Sequence, residues 1–119
     1  MRVAYAHDAV LAMEPGADER APGGAVTVSL CGHWEHEPPC PLAPHHTRAE
    51  RVGDEVRLRI LFATEPEREP TVRRRIDEAL SAGRLTGPDG ATTRWELRGS
   101  APGPVTPDEG DQAARLTRS

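Results

Sequence analysis

Residues 31–46 restrict the fold of this chain more than any other stretch: Cys31-Gly32-His33-Trp34-Glu35-His36-Glu37-Pro38-Pro39-Cys40-Pro41-Leu42-Ala43-Pro44-His45-His46. Prolines at 38, 39, 41 and 44 remove backbone donors and fix φ, so residues 37–44 can be neither helix nor central strand. The flanking segments must be separate elements joined by a stiff loop. The same stretch contains both cysteines and four of the five histidines. Thiolate and imidazole are the ligands that zinc takes tetrahedrally.

The spacing is Cys31-x-His33-x2-His36-x3-Cys40, followed by His45-His46. Two cysteines and two histidines make an ordinary structural zinc shell. The expected set is Cys31, His33 and Cys40, completed by His36, His45 or His46. Neighbouring residues of a strand project to opposite faces, so one of His45 and His46 at most belongs to it. Copper would suit a thiolate-dominated site and nickel an imidazole-dominated one. The zinc-finger spacing is absent. Glu35 or Glu37 beside a metal-bound water would make a small metalloenzyme, the lesser reading for a chain with little room for a formed pocket. His33-x-Glu35 with Pro39-Cys40 lacks the Cys-x-x-Cys that zinc deaminases require. The sequence carries no His-Glu-x-x-His, phosphate-cradling glycine loop, dinucleotide fingerprint or Ser/His/Asp pattern, and His7 has no assignable role.

Charge and composition exclude other classes. A net charge of −4 and a pI near 5.7 oppose general nucleic-acid binding. Tyr5, Trp34, Phe62 and Trp95 are too few rings for a stacking platform. No apolar run approaches the ~20 residues of a membrane span. His7 and Asp8 interrupt the apolar N-terminus, which reads poorly as a signal peptide. The expectation is a cytoplasmic protein with reduced thiols rather than a Cys31–Cys40 disulfide. All fifteen basic residues are arginine, which coding bias accounts for. The alternative function is a metal-free interaction module or accessory subunit. In that reading Arg57, Arg59, Arg94 and Arg98 line an outer sheet face for an anion or a protein partner. A homodimer formed edge to edge is also reasonable.

Periodicity predicts an α+β fold, with a small antiparallel sheet of about four strands, one helix packed on one face, and the proline-rich loop between the first two clear strands. Residues 1–24 read as an N-terminal segment and Pro/Gly linker with a short strand possible at 2–6; Met13 is an alternative start. Residues 25–98 form the single domain. Within it, residues 25–31 alternate as a strand (Val26, Val28 and Leu30 on one side), and residues 56–63 alternate as another. Gly53-Asp54 forms a two-residue turn that sets Thr47 opposite Ile60, Ala49 opposite Leu58, Glu50 opposite Arg57 and Arg48 opposite Arg59. The helix starts between 66 and 71, carries Val72, Ile76, Ala79 and Leu80 as its apolar stripe, and stops at Gly83. Arg73-Arg74-Arg75 reads as a solvated face. A last strand places Trp95 in the core, and residues 99–119 read as a disordered tail.

Overall fold

A computed structural model describes residues 1–31 and 43–118. In chain order the elements are β1 (Val3–Ala12), α1 (Ala21–Cys31), β2 (His45–Val52), β3 (Glu55–Thr64), α2 (Glu69–Ser81), β4 (Arg84–Thr86), β5 (Thr92–Arg94), β6 (Glu96–Gly103) and α3 (Gly110–Thr117). One antiparallel sheet has the order β2-β3-β1-β6, and β4 and β5 form a separate ribbon. Because β3 is antiparallel to both neighbours, β1 and β2 run parallel with β3 between them. By the same argument β3 and β6 run parallel around β1. Parallel strands need a crossover, and α1 and α2 supply the two. The result is a pair of interleaved split β-α-β units, the ferredoxin-like topology.

The α+β class and the four-stranded antiparallel sheet are those the periodicity predicts. The hairpin register also matches, with Thr47 opposite Ile60 and Ala49 opposite Leu58. Gly53 takes a φ of +67°, which glycine adopts without a Cβ penalty. On α2, Val72, Ile76 and Leu80 are buried. Gly83 follows the helix at φ +71°, and its N–H donates to the Leu80 carbonyl at 3.2 Å. The buried Trp95, between β5 and β6, donates its indole N–H to the same carbonyl at 2.8 Å and so also caps the helix.

Four expectations need correction. Residues 2–6 are not a marginal strand before a linker, because β1 runs to Ala12 between β3 and β6. A chain starting at Met13 would lack that strand. Residues 25–31 are helical. Val26 and Leu30 fit a period of four as well as a period of two, and the helix is buried on most sides, so no polar face marks it. Pro22 sits in its first turn, where it costs no hydrogen bond. Gly23 is needed because a Cβ there would lie 2.9 Å from Thr47 Oγ1. Residues 99–119 are not a disordered tail, since they complete β6 and form α3. The helices number three among the described residues, not one.

The core lies between one sheet face and the first two helices, where Leu11, Val56, Leu58, Ile60 and Phe62 meet Val26, Leu30, Val72, Ile76 and Leu80. Burying each of these large side chains contributes about 1.5–3 kcal/mol. The other face has a smaller cluster, in which α3 sets Leu116 against Ala6, Leu61 and Ala63. Beyond α3 that face presents Asp8, Arg48, Glu50 and Arg57.

Candidate functional site

The donor-rich stretch begins at the last residue of α1, Cys31, and ends at the first two residues of β2, His45 and His46. His33, Glu35, His36, Glu37 and Cys40 lie outside the described residues. The half-buried His45 ring faces α1. Its Nδ1 is 3.1 Å from the Ala43 carbonyl and its Nε2 is 3.0 Å from Thr27 Oγ1. A carbonyl only accepts, so Nδ1 carries the proton and Nε2 is the lone-pair nitrogen in the neutral ring. The Thr27 hydroxyl then donates to Nε2, although it also lies 3.2 Å from the Gly23 carbonyl. Cys31 is the helix position one turn beyond Thr27. His46 is exposed on the opposite sheet face, near Arg48, Arg59, Leu61 and Glu109. Among the described residues, no group of three or more His, Cys, Asp and Glu side chains is arranged to hold a metal ion.

The four arginines expected to share one sheet face do not form a row. Arg94 belongs to the separate ribbon, and Arg98 falls at the bulge where β6 changes register. Exposed Arg57 is 3.3 Å from Glu55 and Arg98 is 3.7 Å from Glu96. Arg59 is committed inside the protein. Its Nε and Nη2 donate to Glu109 at 3.0 and 2.7 Å, and its Nη1 donates to both Asp8 oxygens at 2.8 and 3.0 Å. Nη2 also donates to the Pro104 carbonyl. Hydrogen bonding to Arg59 holds the Glu109 carboxyl down at about 2. These pairs neutralise Arg59 and make Arg48 tolerable opposite it. No Cβ fits at Gly103, because it would overlap the Asp8 carboxylate.

A second network was illegible because its members are far apart in sequence. His7, 2% exposed on β1, receives a hydrogen bond at Nδ1 from Arg73 Nη1 at 2.9 Å. Arginine only donates, so Nε2 bears the ring proton and faces Ser100 Oγ at 2.7 Å and Asp77 Oδ1 at 3.3 Å. The Ser100 hydroxyl donates to Asp77. Ser100, His7 and Asp77 thus meet, but in the wrong sense for nucleophilic catalysis. A triad needs Nε2 free to accept the serine proton and a carboxylate at Nδ1. Here Nδ1 faces a cation and Nε2 is a donor.

Arg73 also donates to the Ala6 carbonyl at 2.8 Å and to Glu69 at 2.8 Å. Its guanidinium lies 5.2 Å from the Phe62 ring centroid and 5.7 Å from that of Tyr5. It is therefore anchored in the fold, not part of a solvated arginine face. Burial lowers the His7 pKa below its ordinary 6.5, with Arg73 acting in the same direction against the opposing carboxylates of Asp77 and Asp8. The unfolded chain then binds the extra proton first, so stability is present above 6.5 and is lost as pH falls from there toward the lowered native value. With a chelator present, the melting temperature of wild type should fall between pH 7.5 and 5.5 more than that of His7→Gln; equal slopes would contradict the assignment.

Two half-open clefts of about 600 and 620 Å³ flank the ribbon. They share Asp18 and Thr93, and Trp95 lines the first. Asp18 pairs with Arg20 at 3.1 Å, and that hydrogen bond lowers its pKa. Among the described residues, no hydrogen-bonded nucleophile–base pair lines either cleft. No helix among the described residues is long and apolar enough to cross a membrane. No family model, curated protein sequence or solved structure matches the chain.

Proposed function

We propose that the chain is a small cytoplasmic metal-binding protein. In this reading zinc is held between α1 and β2 by donors drawn from Cys31, His33, His36, Cys40, His45 and His46. The observation that carries the reading is the orientation of His45. Metal-bound histidines generally commit the other ring N–H to a carbonyl or carboxylate, which leaves a lone pair for the metal. His45 has the first half of this arrangement, with Nδ1 on the Ala43 carbonyl. Nε2, which accepts from Thr27 Oγ1, is turned toward the helix that ends at Cys31, where a metal would take the place of that hydroxyl. A metal here would join the end of a core helix to an edge strand, and its binding energy would count directly as folding energy. The site is structural or metal-handling, and a reducing compartment keeps its thiols available.

The test is cobalt(II) substitution. Wild type should give a thiolate-to-cobalt charge-transfer band, and Cys40→Ser should weaken that band, lower metal content and lower the melting temperature together. A Cys40→Ser protein unchanged in all three would overturn the reading. The second reading is a metal-free interaction module. It draws support from the same ring, because Thr27 and Ala43 satisfy both His45 nitrogens without a metal.

A further inference from the structure

We infer that β2 is a self-association edge, and that a second copy of this chain pairs with it antiparallel about a two-fold axis through Ala49. This does not rest on the metal reading. The sheet has two outer strands. β6 is protected in the ways edge strands usually are, by a bulge at residues 97–99 and by Pro102. β2 has neither over its eight residues.

The free side of β2 is fixed by its register with β3. The Ala63 N–H donates to the Pro44 carbonyl at 3.0 Å, so the even-numbered residues 44 to 52 make the hydrogen-bonded pairs with β3. The N–H and C=O groups of Thr47, Ala49 and Arg51 therefore point outward, and no strand among the described residues pairs with them.

An antiparallel copy must join outward residues to outward residues, which restricts its position along the strand to steps of two. Centred on Ala49, the pairing sets Thr47 opposite the partner's Arg51 and Arg48 opposite the partner's Glu50. Symmetry makes each of these pairs occur twice. Shifting the copy by one step in either direction sets Arg48 against Arg48 or Glu50 against Glu50. Opposite charges facing across strands stabilise and like charges destabilise, so the Ala49 register is the one the charges select. It also covers Val52, 47% exposed, with the partner's His46. Arg48 is available for this role because Asp8 and Glu109 already neutralise its cross-strand neighbour Arg59. A joint made of one strand pair is smaller than a standard interface, so the dimer should be weak and concentration-dependent.

Sedimentation equilibrium from micromolar to millimolar protein, with and without chelator, tests this. Wild type should dimerise reversibly. Arg48→Glu and Glu50→Arg should each weaken the dimer about tenfold or more, since one change turns both symmetry-related pairs repulsive. The double variant R48E/E50R should restore wild-type association, and all three should keep the wild-type circular dichroism spectrum. A chain monomeric throughout the range would overturn the inference. So would a dimer that either single change leaves intact, or that the double swap fails to restore.

Discussion

Arg59→Met should lower the melting temperature by roughly 10–15 °C, and the residues after β6 should lose protection before the rest of the sheet. The guanidinium uses all three of its nitrogens on Asp8, Glu109 and the Pro104 carbonyl. Removing it leaves the buried Glu109 carboxylate without its cation. Breaking a buried pair from one side costs about 3–5 kcal/mol, and the half-exposed Asp8 puts this case at the lower end. For a chain of this length that corresponds to roughly 3–5 °C per kcal/mol. Glu109 also accepts the Thr106 N–H at 3.0 Å, so the same carboxylate holds the turn that leads into α3. Calorimetry with limited proteolysis reads both effects. An unchanged melting temperature, or proteolysis spread evenly over the chain, would show that α3 is not held by Arg59.

Arg73→Met should be nearly as damaging, at about 3 kcal/mol, although the neighbouring Arg74 and Arg75 should tolerate the same change. The loss comprises the donors to the Ala6 carbonyl and His7 Nδ1, at about 1–3 kcal/mol for each buried group left unsatisfied, plus a cation–π contact. Arg73→Lys should recover only part of this, because one ammonium cannot reproduce a planar fork that reaches Glu69 and β1 together. Chemical denaturation of Arg73→Met, Arg73→Lys and Arg74→Met separates the roles. Equal effects at 73 and 74 would return the triplet to the solvated-face reading.

Local signals carried most of what was legible. The hairpin register came from one glycine and a period of two, and the helix stripe and its glycine stop came from a period of 3.6. The segment at 21–31 misled because a helix buried on nearly every side shows no polar stripe, while Val26, Val28 and Leu30 imitate a strand. The tail misled for a different reason. Its few apolar residues read as too sparse to fold, yet Leu116 meets β1 and β3, and Glu109 meets Arg59 on β3, each more than 45 residues away. The two charged networks could not be read from sequence, because each joins groups that only the sheet order brings together. Arg59 with Glu109 and His7 with Ser100 have no spacing that marks them. Of the six metal candidates, the opposite projection of His45 and His46 followed from strand geometry, but the link between His45 and Thr27 required the crossover helix.

In the proposed reading, the connection between α1 and β2 holds a metal. Elemental mass spectrometry of untagged protein purified without chelator, with thiol titration on the same sample, tests it most directly. The expected result is about one zinc per chain, with both cysteines protected until a chelator is added. Metal-free protein with two freely reactive thiols would contradict it and leave the interaction reading in its place.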